Sequence, residues 1–209
     1  MEKKELRKIT REELNDVLEK HKLWLDTGGE DGEIADLSYT DLGCFDLTKV
    51  NLAGANLEGA NLLLADLYRA DLVGANLAGV KFTNADLRYA NLRGADLRGA
   101  DLYCAKLACA NLACADLSHT DLRFNSLSGA NLGYANLQYA NLYSTDLKDA
   151  DLSYADLRHA VLRCSDLAFA NLEGVNLLLA DDLREVILTG VKNFLDMPAE
   201  CPETDSFIS

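Results

Sequence analysis

Ala55-Asn56-Leu57-Glu58-Gly59-Ala60-Asn61-Leu62 decides the fold, because this stretch repeats a five-residue unit centred on leucine. Leucine, replaced once by Phe82, occupies every fifth position from Leu37 to Leu177, which makes 29 consecutive units. The residue two before the leucine is Ala in 20 units, and the residue directly before it is Asp in 14 and Asn in 11. Short repeats of fixed length stack on their neighbours, so the pattern predicts a solenoid.

The side chains of each unit alternate in direction. Across the Ala, Asp or Asn (Asx) and Leu positions they alternate as in a β-strand, so Ala and Leu point inward and Asx points outward. The other two residues form a corner, and glycine often fills its second position, as at Gly79. An α-helix is excluded because leucine at every fifth residue drifts around a helix of 3.6 residues per turn.

The A(D/N)Lxx pattern, complete in Ala55–Gly59 and in Ala95–Gly99, resembles the pentapeptide-repeat family over residues 35–190. The resemblance implies an all-β solenoid, a right-handed quadrilateral β-helix in which four units make one coil. Residue n then lies beneath residue n + 20. With adjacent strands about 4.8 Å apart, the 29 units predict about seven coils and a rod roughly 35 Å long.

Residues 1–34 precede the repeats, and we expect a capping helix over about 11–25. Thr10 and Glu13 have the spacing of a capping box, and Gly28-Gly29 marks the end of the helix. The apolar face should cover the first coil near Ala35, Leu37 and Phe45. A partner-binding amphipathic helix is the alternative. The residues of this face are Leu14, Val17, Leu18, His21 and Leu25.

At the other end the repeat slips by one residue at Asp181-Asp182-Leu183, and Leu188 closes the last recognisable unit. Residues 191–209 are predicted to be a C-terminal cap followed by a flexible acidic tail. Because the family resemblance also implies that a C-terminal surface can pair two rods, this end is either a cap or a homodimer contact. The residues expected to fold over the final coil are Val191, Phe194, Leu195 and Met197.

Composition predicts a cytoplasmic protein that does not enter a membrane. The sequence has no apolar run of 18 residues and no charged start followed by an apolar stretch. Six cysteines without a secretion signal are typical of reduced thiols.

The net charge of −14 is spread along the chain rather than concentrated on the repeats. Residues 1–34 carry −3, residues 35–179 carry −6 and residues 180–209 carry −5. No basic stripe is present, so direct nucleic-acid binding is not expected.

The titratable residues do not predict an enzyme. His119 and His159 stand two coils apart, about 10 Å, which is too far to share a proton or a metal ion. Cys104, Cys109 and Cys114 lie at successive corners and point in different directions, so they cannot converge on one ion. We therefore predict no catalytic residues, no metal site and no cofactor.

Three inward positions of one face depart from alanine in consecutive coils, at Asn125, Thr145 and Ser165. An unpaired buried amide or hydroxyl is costly, so these side chains should bond one another in a vertical ladder inside the rod. This structural role is the expected one.

The candidate partner-binding surface lies on the face whose inward leucines run from Leu37 to Leu177 in steps of twenty, which we call face 1. Both of its edges change from glycine in the first half to aromatic in the second. Tyr and Arg are enriched at interface hot spots, and a rigid surface loses little entropy on docking. The alternative is that stacked rings only stabilise the coil. The candidate residues are His119, Tyr134, Tyr139, Tyr154, His159, Asp116, Asp156 and Arg158.

Two functions follow from this sequence. The first is a non-enzymatic scaffold whose rigid flat faces bind another, unidentified protein. The second comes from the family resemblance, which implies a DNA mimic that modulates DNA gyrase, a type II topoisomerase, and protects it from quinolones. The outward charges of the four faces, −3, 0, −1 and −2, give no side a dense acidic field and favour the scaffold.

Overall fold

The repeated units pair with one another at a separation of twenty residues in the computed structural model, which describes residues 5–193. Parallel bridges join the Asx positions to those four units further on, from Asp36 with Asn56 to Asp151 with Asn171. Four units, each ending in a turn, therefore make one four-sided coil. The prediction that residue n lies beneath residue n + 20 is confirmed.

Regular secondary structure outside this ladder is sparse among the described residues. Strand β1 spans Arg7–Lys8, helix α1 spans Arg11–Asp26, strand β2 spans Thr40–Asp41, and a 3₁₀ turn spans Leu177–Leu179. Strands β1 and β2 pair in parallel, so the N-terminal segment extends one side of the first coil.

The core is a continuous column of leucine and alanine. Every leucine of the repeat from Leu37 to Leu177 is at most 3% exposed, and Phe82 is fully buried in the leucine position. Small and large side chains alternate inward, so each level packs against the next. Phe45 and Val50 are partly buried against the same core.

The outward Asx side chains accept hydrogen bonds from backbone N–H groups of the corner. The Asp36 Oδ1 atom accepts a hydrogen bond from the Ser38 backbone N–H at 3.0 Å, and this contact recurs along the rod. At several coils an asparagine amide also donates to the Asx side chain one coil earlier, as from Asn76 Nδ2 to Asn56 Oδ1 at 3.0 Å. These two bonds explain why the position requires a short side chain with an acceptor oxygen.

The register changes by one residue near the C-terminal end. Val161 pairs with Asp182 and Asn171 pairs with Lys192, a separation of twenty-one. The extra residue lies in the 3₁₀ turn Leu177–Leu179, slightly before the position predicted for the slip.

The ladder extends beyond Leu188, which closes the last unit recognisable in the sequence. Lys192 still bridges to the coil below, and Val191 packs against the core, so the repeats continue past residue 190. The sequence obscured this unit because Asn193 stands where leucine is expected. Phe194, Leu195 and Met197 lie outside the described residues, as do the acidic tail and Cys201.

Helix α1 begins with the predicted capping box. The Glu13 backbone N–H donates to Thr10 Oγ1 at 3.2 Å, and the Thr10 N–H donates to Glu13 Oε2 at 2.7 Å. Leu14 is fully buried in the core, and the Arg11 guanidinium lies 4.8 Å above the centre of the Phe45 ring. The apolar face of α1 therefore packs on the first coil.

His21 joins α1 to the start of the repeats. The side chain is fully buried, its ring stacks on Trp24, and its Nδ1 atom accepts a hydrogen bond from the Ala35 backbone N–H at 3.2 Å. Nε2 makes no hydrogen bond within the described residues. Burial lowers the pKa of His21.

Acidification should therefore loosen the N-terminal helix. Because the folded pKa of His21 lies below its unfolded value of about 6.5, its contribution to the free energy of unfolding is present above pH ~6.5 and is lost as the pH falls below it. The fluorescence of Trp24, the single tryptophan, reports this transition. In His21→Asn, which keeps a polar atom near the Nδ1 position but does not titrate, the loss between pH 7 and 5 should be smaller. Equal losses in both proteins would contradict the assignment.

The inward polar column exists, but the predicted bonds between its side chains do not form. Asn125 Nδ2 donates to the Leu102 carbonyl and Thr145 Oγ1 to the Leu122 carbonyl, both at 2.8 Å, and Ser165 Oγ donates to the Leu162 carbonyl. Main-chain carbonyls of the leucine positions accept these hydrogen bonds instead. Asn125 Oδ1 is buried and has no hydrogen-bond partner among residues 5–193.

Candidate functional site

The corners of face 1 share one backbone conformation. From Tyr39 to Gly174 the second corner residue of every unit has a positive φ, and Tyr134, Tyr139 and Tyr154 each have φ 58°. This left-handed conformation costs a residue with a Cβ roughly 1 kcal/mol, which accounts for the frequent glycine. In the sequence, the recurrence of glycine at this corner position was the signal for the left-handed conformation. Aromatic residues occupy the same conformation in the second half.

The rings form two stacked columns along the rod axis, one on each edge of face 1. On one edge the Tyr139 ring lies between His119 and His159, with centroids 4.9 and 4.8 Å apart and planes within 12° of parallel. On the other edge Tyr134 and Tyr154 stack at 5.0 Å. The structure therefore brings together all five predicted aromatic residues.

These rings remain accessible although they stack. Tyr134 is 64% exposed, Tyr139 51% and Tyr154 47%. Stacking limits the motion of each ring, so little conformational entropy is left to lose when another surface docks on it.

The floor between the columns is internally hydrogen-bonded. Asn136 Nδ2 donates to Asp116 Oδ1 at 3.1 Å, and Gln138 Nε2 donates to Asp156 Oδ2 at 2.8 Å. The Arg158 guanidinium binds both Asp156 carboxylate oxygens, with Nη2 to Oδ2 at 2.6 Å. These bonds from Arg158 hold the pKa of Asp156 below its usual value. The predicted polar residues thus form a rigid strip.

Acidic side chains border the far end of the strip. The Tyr154 hydroxyl donates to Glu173 Oε1 at 2.6 Å, which raises the pKa of Tyr154. His159 Nδ1 lies 3.0 Å from Asp181 Oδ1. We call the part of face 1 from Asp116 to Asp181 the aromatic half.

The first part of face 1 has open edges. At Gly74, Gly79, Gly94 and Gly99 no atom lies within 4 Å of the position that a Cβ would take. We call the part of face 1 from residue 74 to residue 99 the glycine half. Face 1 therefore has a recess from residue 74 to residue 99, followed by the projecting rings of the aromatic half, while nearer its start the Tyr39 ring lies against Gly59.

Two further aromatic clusters escaped the sequence analysis. Tyr68 and Tyr89 meet edge to face at 5.6 Å, with the Arg69 guanidinium over both rings. At another corner Phe124 meets Tyr103 and Tyr143 edge to face. The signal was available, because the n + 20 rule applied to every corner places the members of each cluster one coil apart.

No cluster of metal-binding side chains accompanies these surfaces in the described part of the chain. No group of three or more His, Cys, Asp or Glu side chains within residues 5–193 could hold a metal ion. Five cysteines of that range are free thiols. No helix between residues 5 and 193 is long and apolar enough to cross a membrane.

Known proteins share this architecture. The sequence pattern of the family described as pentapeptide repeats matches eight copies in the chain. The matched ranges include 35–67, 46–84, 65–102, 85–123, 126–163 and 140–178. No curated protein matches the chain significantly.

Among solved structures, the chain is 34% identical to HetL, a pentapeptide repeat protein involved in heterocyst differentiation regulation in the cyanobacterium Nostoc, over 77% of each chain with a TM-score of 0.56. It is 19% identical to QnrB1, a plasmid-mediated fluoroquinolone resistance protein, over 73% of this chain and 90% of that one with a TM-score of 0.42. The family pattern covers most of the repeat ladder, and the likeness to HetL spans more than two thirds of both chains. The chain therefore belongs to the pentapeptide-repeat family.

Proposed function

We propose that this protein is a non-enzymatic scaffold that binds another protein through the aromatic half of face 1. In this proposal the rod is a cytoplasmic, right-handed β-helix of about seven coils, and α1 caps its N-terminal end. The partner is a protein rather than a nucleic acid or a membrane. Capping is required because an open solenoid end exposes strand edges on which further chains can stack.

The observation that carries the proposal is the exposure of ordered rings on both edges of one hydrogen-bonded strip. Exposed aromatic residues beside an arginine have the composition of interface hot spots. Stacking accounts for the contacts between the rings, yet half or more of the Tyr134 and Tyr139 surfaces still face solvent, where another protein can contact them.

The test is a variant with Tyr134, Tyr139 and Tyr154 replaced by serine. Hot-spot truncations cost at least about 2 kcal/mol each, so we expect recovery of a specific partner from lysate to fall at least ~30-fold, while the melting temperature falls by only a few degrees. Proteins retained on the immobilised rod are identified by mass spectrometry.

The matched control replaces the three aromatic residues of the other corner cluster, Tyr103, Phe124 and Tyr143, by serine. This control also removes three rings in contact, but none from face 1. It should keep the partner. A large drop in melting temperature with unchanged partners in the face 1 variant would instead show that the rings only stabilise the coil.

The DNA-mimic alternative is an outcome of the same experiment. Recovery of DNA gyrase by the wild-type rod, together with inhibition of its supercoiling activity, would replace the scaffold proposal. The mixed charges of face 1, where Arg98 and Arg158 pair with neighbouring aspartates, weigh against a DNA-like surface.

A further inference from the structure

The two halves of face 1 are complementary in shape. In the aromatic half the edges project as stacked rings, and in the glycine half the same edges are recessed. His119 and Tyr139 continue the corner column that contains Gly79 and Gly99. Because one rod carries both the projecting rings and the recesses, the rings of one rod can fit into the recesses of an identical rod.

The charges of the two halves are complementary as well. Arg93 is exposed in the glycine half and makes no ion pair within residues 5–193. In the aromatic half Asp116, one coil further along face 1 than Asp96, makes no ion pair within residues 5–193. An unpaired guanidinium is therefore available for a surface that offers carboxylates and ring faces.

We infer that a second copy of this chain docks on face 1 with the two rods antiparallel. This inference rests on the proposed function, since it assigns a partner to the same surface. A two-fold axis parallel to the strands, crossing between the halves, places the aromatic half of each copy on the glycine half of the other. It keeps like edges opposite one another, so His119 and Tyr139 of one copy meet Gly99 and Gly79 of the other.

The area of face 1 indicates how tightly two copies should bind each other. A surface roughly 35 Å long and about 16 Å wide, the span of five extended residues, gives about 1,100 Å² buried in total. This is at the lower end of specific interfaces, so we expect a reversible dimer with a dissociation constant on the order of 10 μM.

Sedimentation of the full chain between about 1 and 300 μM tests the inference. The wild-type protein should shift from monomer to dimer over this range, and Gly79→Tyr should weaken the dimer at least ~10-fold by filling a recess. Residue 79 has φ +64°, close to the φ of Tyr139, and an added Cβ meets open space, so the variant should fold.

Gly129→Tyr is the matched control. Its φ of +65° imposes the same backbone cost, but the residue lies on a corner outside face 1. It should dimerise like the wild type, whereas Arg93→Glu, which adds no bulk, should weaken the dimer.

Two results would overturn the inference. They are a wild-type protein that stays monomeric at 300 μM, and a dimer that Gly79→Tyr and Arg93→Glu leave unchanged. In either case, loss of a captured partner in the Tyr134, Tyr139 and Tyr154 variant would still support the proposed function, so the two ideas fail separately.

Discussion

Replacing Gly32 by alanine is expected to detach the C-terminal part of helix α1 from the first coil. A Cβ on residue 32 would lie 2.3 Å from the Lys20 carbonyl oxygen and 2.6 Å from the Trp24 backbone nitrogen, and φ at this residue is +79°. Neither backbone atom can move without displacing the helix. The clash and the left-handed conformation together should cost about 3 kcal/mol of the free energy that holds this segment in place.

The expected readouts are a change in Trp24 fluorescence and faster amide exchange in residues 11–35. Gly28→Ala is the control, because φ is +67° there and no atom lies within 4 Å of the added Cβ. It should cost only about 1 kcal/mol. Equal effects of the two substitutions would show that the contact with α1 does not hold the segment.

Leu137→Ala should be among the most destabilising single truncations in the rod. Leu137 is fully buried beneath the floor of the aromatic half, and removing its side chain leaves a cavity between coils that hydrogen bonds hold at fixed spacing. A buried Leu→Ala substitution costs about 3 kcal/mol when the surroundings cannot collapse. We expect the urea midpoint, followed by circular dichroism, to fall accordingly.

Leu178→Ala is the matched control, since Leu178 is 47% exposed. This change should alter the free energy of unfolding by no more than about 0.5 kcal/mol. If both variants unfolded at the same urea concentration, the leucine column would not be the main source of stability.

The ladder and its side-chain directions followed from the sequence because both depend on one short period. Once four units per coil were inferred, Tyr139 had to lie between His119 and His159, and it does. The capping box of α1 was also predictable, since Thr10 and Glu13 interact over three residues.

Contacts that depend on three-dimensional distances were harder to predict. The hydroxyl of Thr145 bonds a carbonyl twenty-three residues earlier rather than a neighbouring side chain, and the repeat pattern does not distinguish between these acceptors. The role of Nδ1 of His21 depends on how α1 meets Ala35, which no local pattern encodes. The aromatic clusters away from face 1 were predictable but required the same rule at every corner.

Because all corners share one backbone conformation, the exposed corner residues can vary without changing the buried residues that stabilise the rod. Glycine, cysteine, histidine and tyrosine occupy equivalent corners with φ between 57° and 71° along residues 54–174, above an almost unvarying interior. Exposed corner residues can therefore be substituted one at a time without a change of fold. Residues introduced at n and n + 20 would lie next to each other on adjacent coils, so a chosen recognition motif could be built from regularly spaced surface positions.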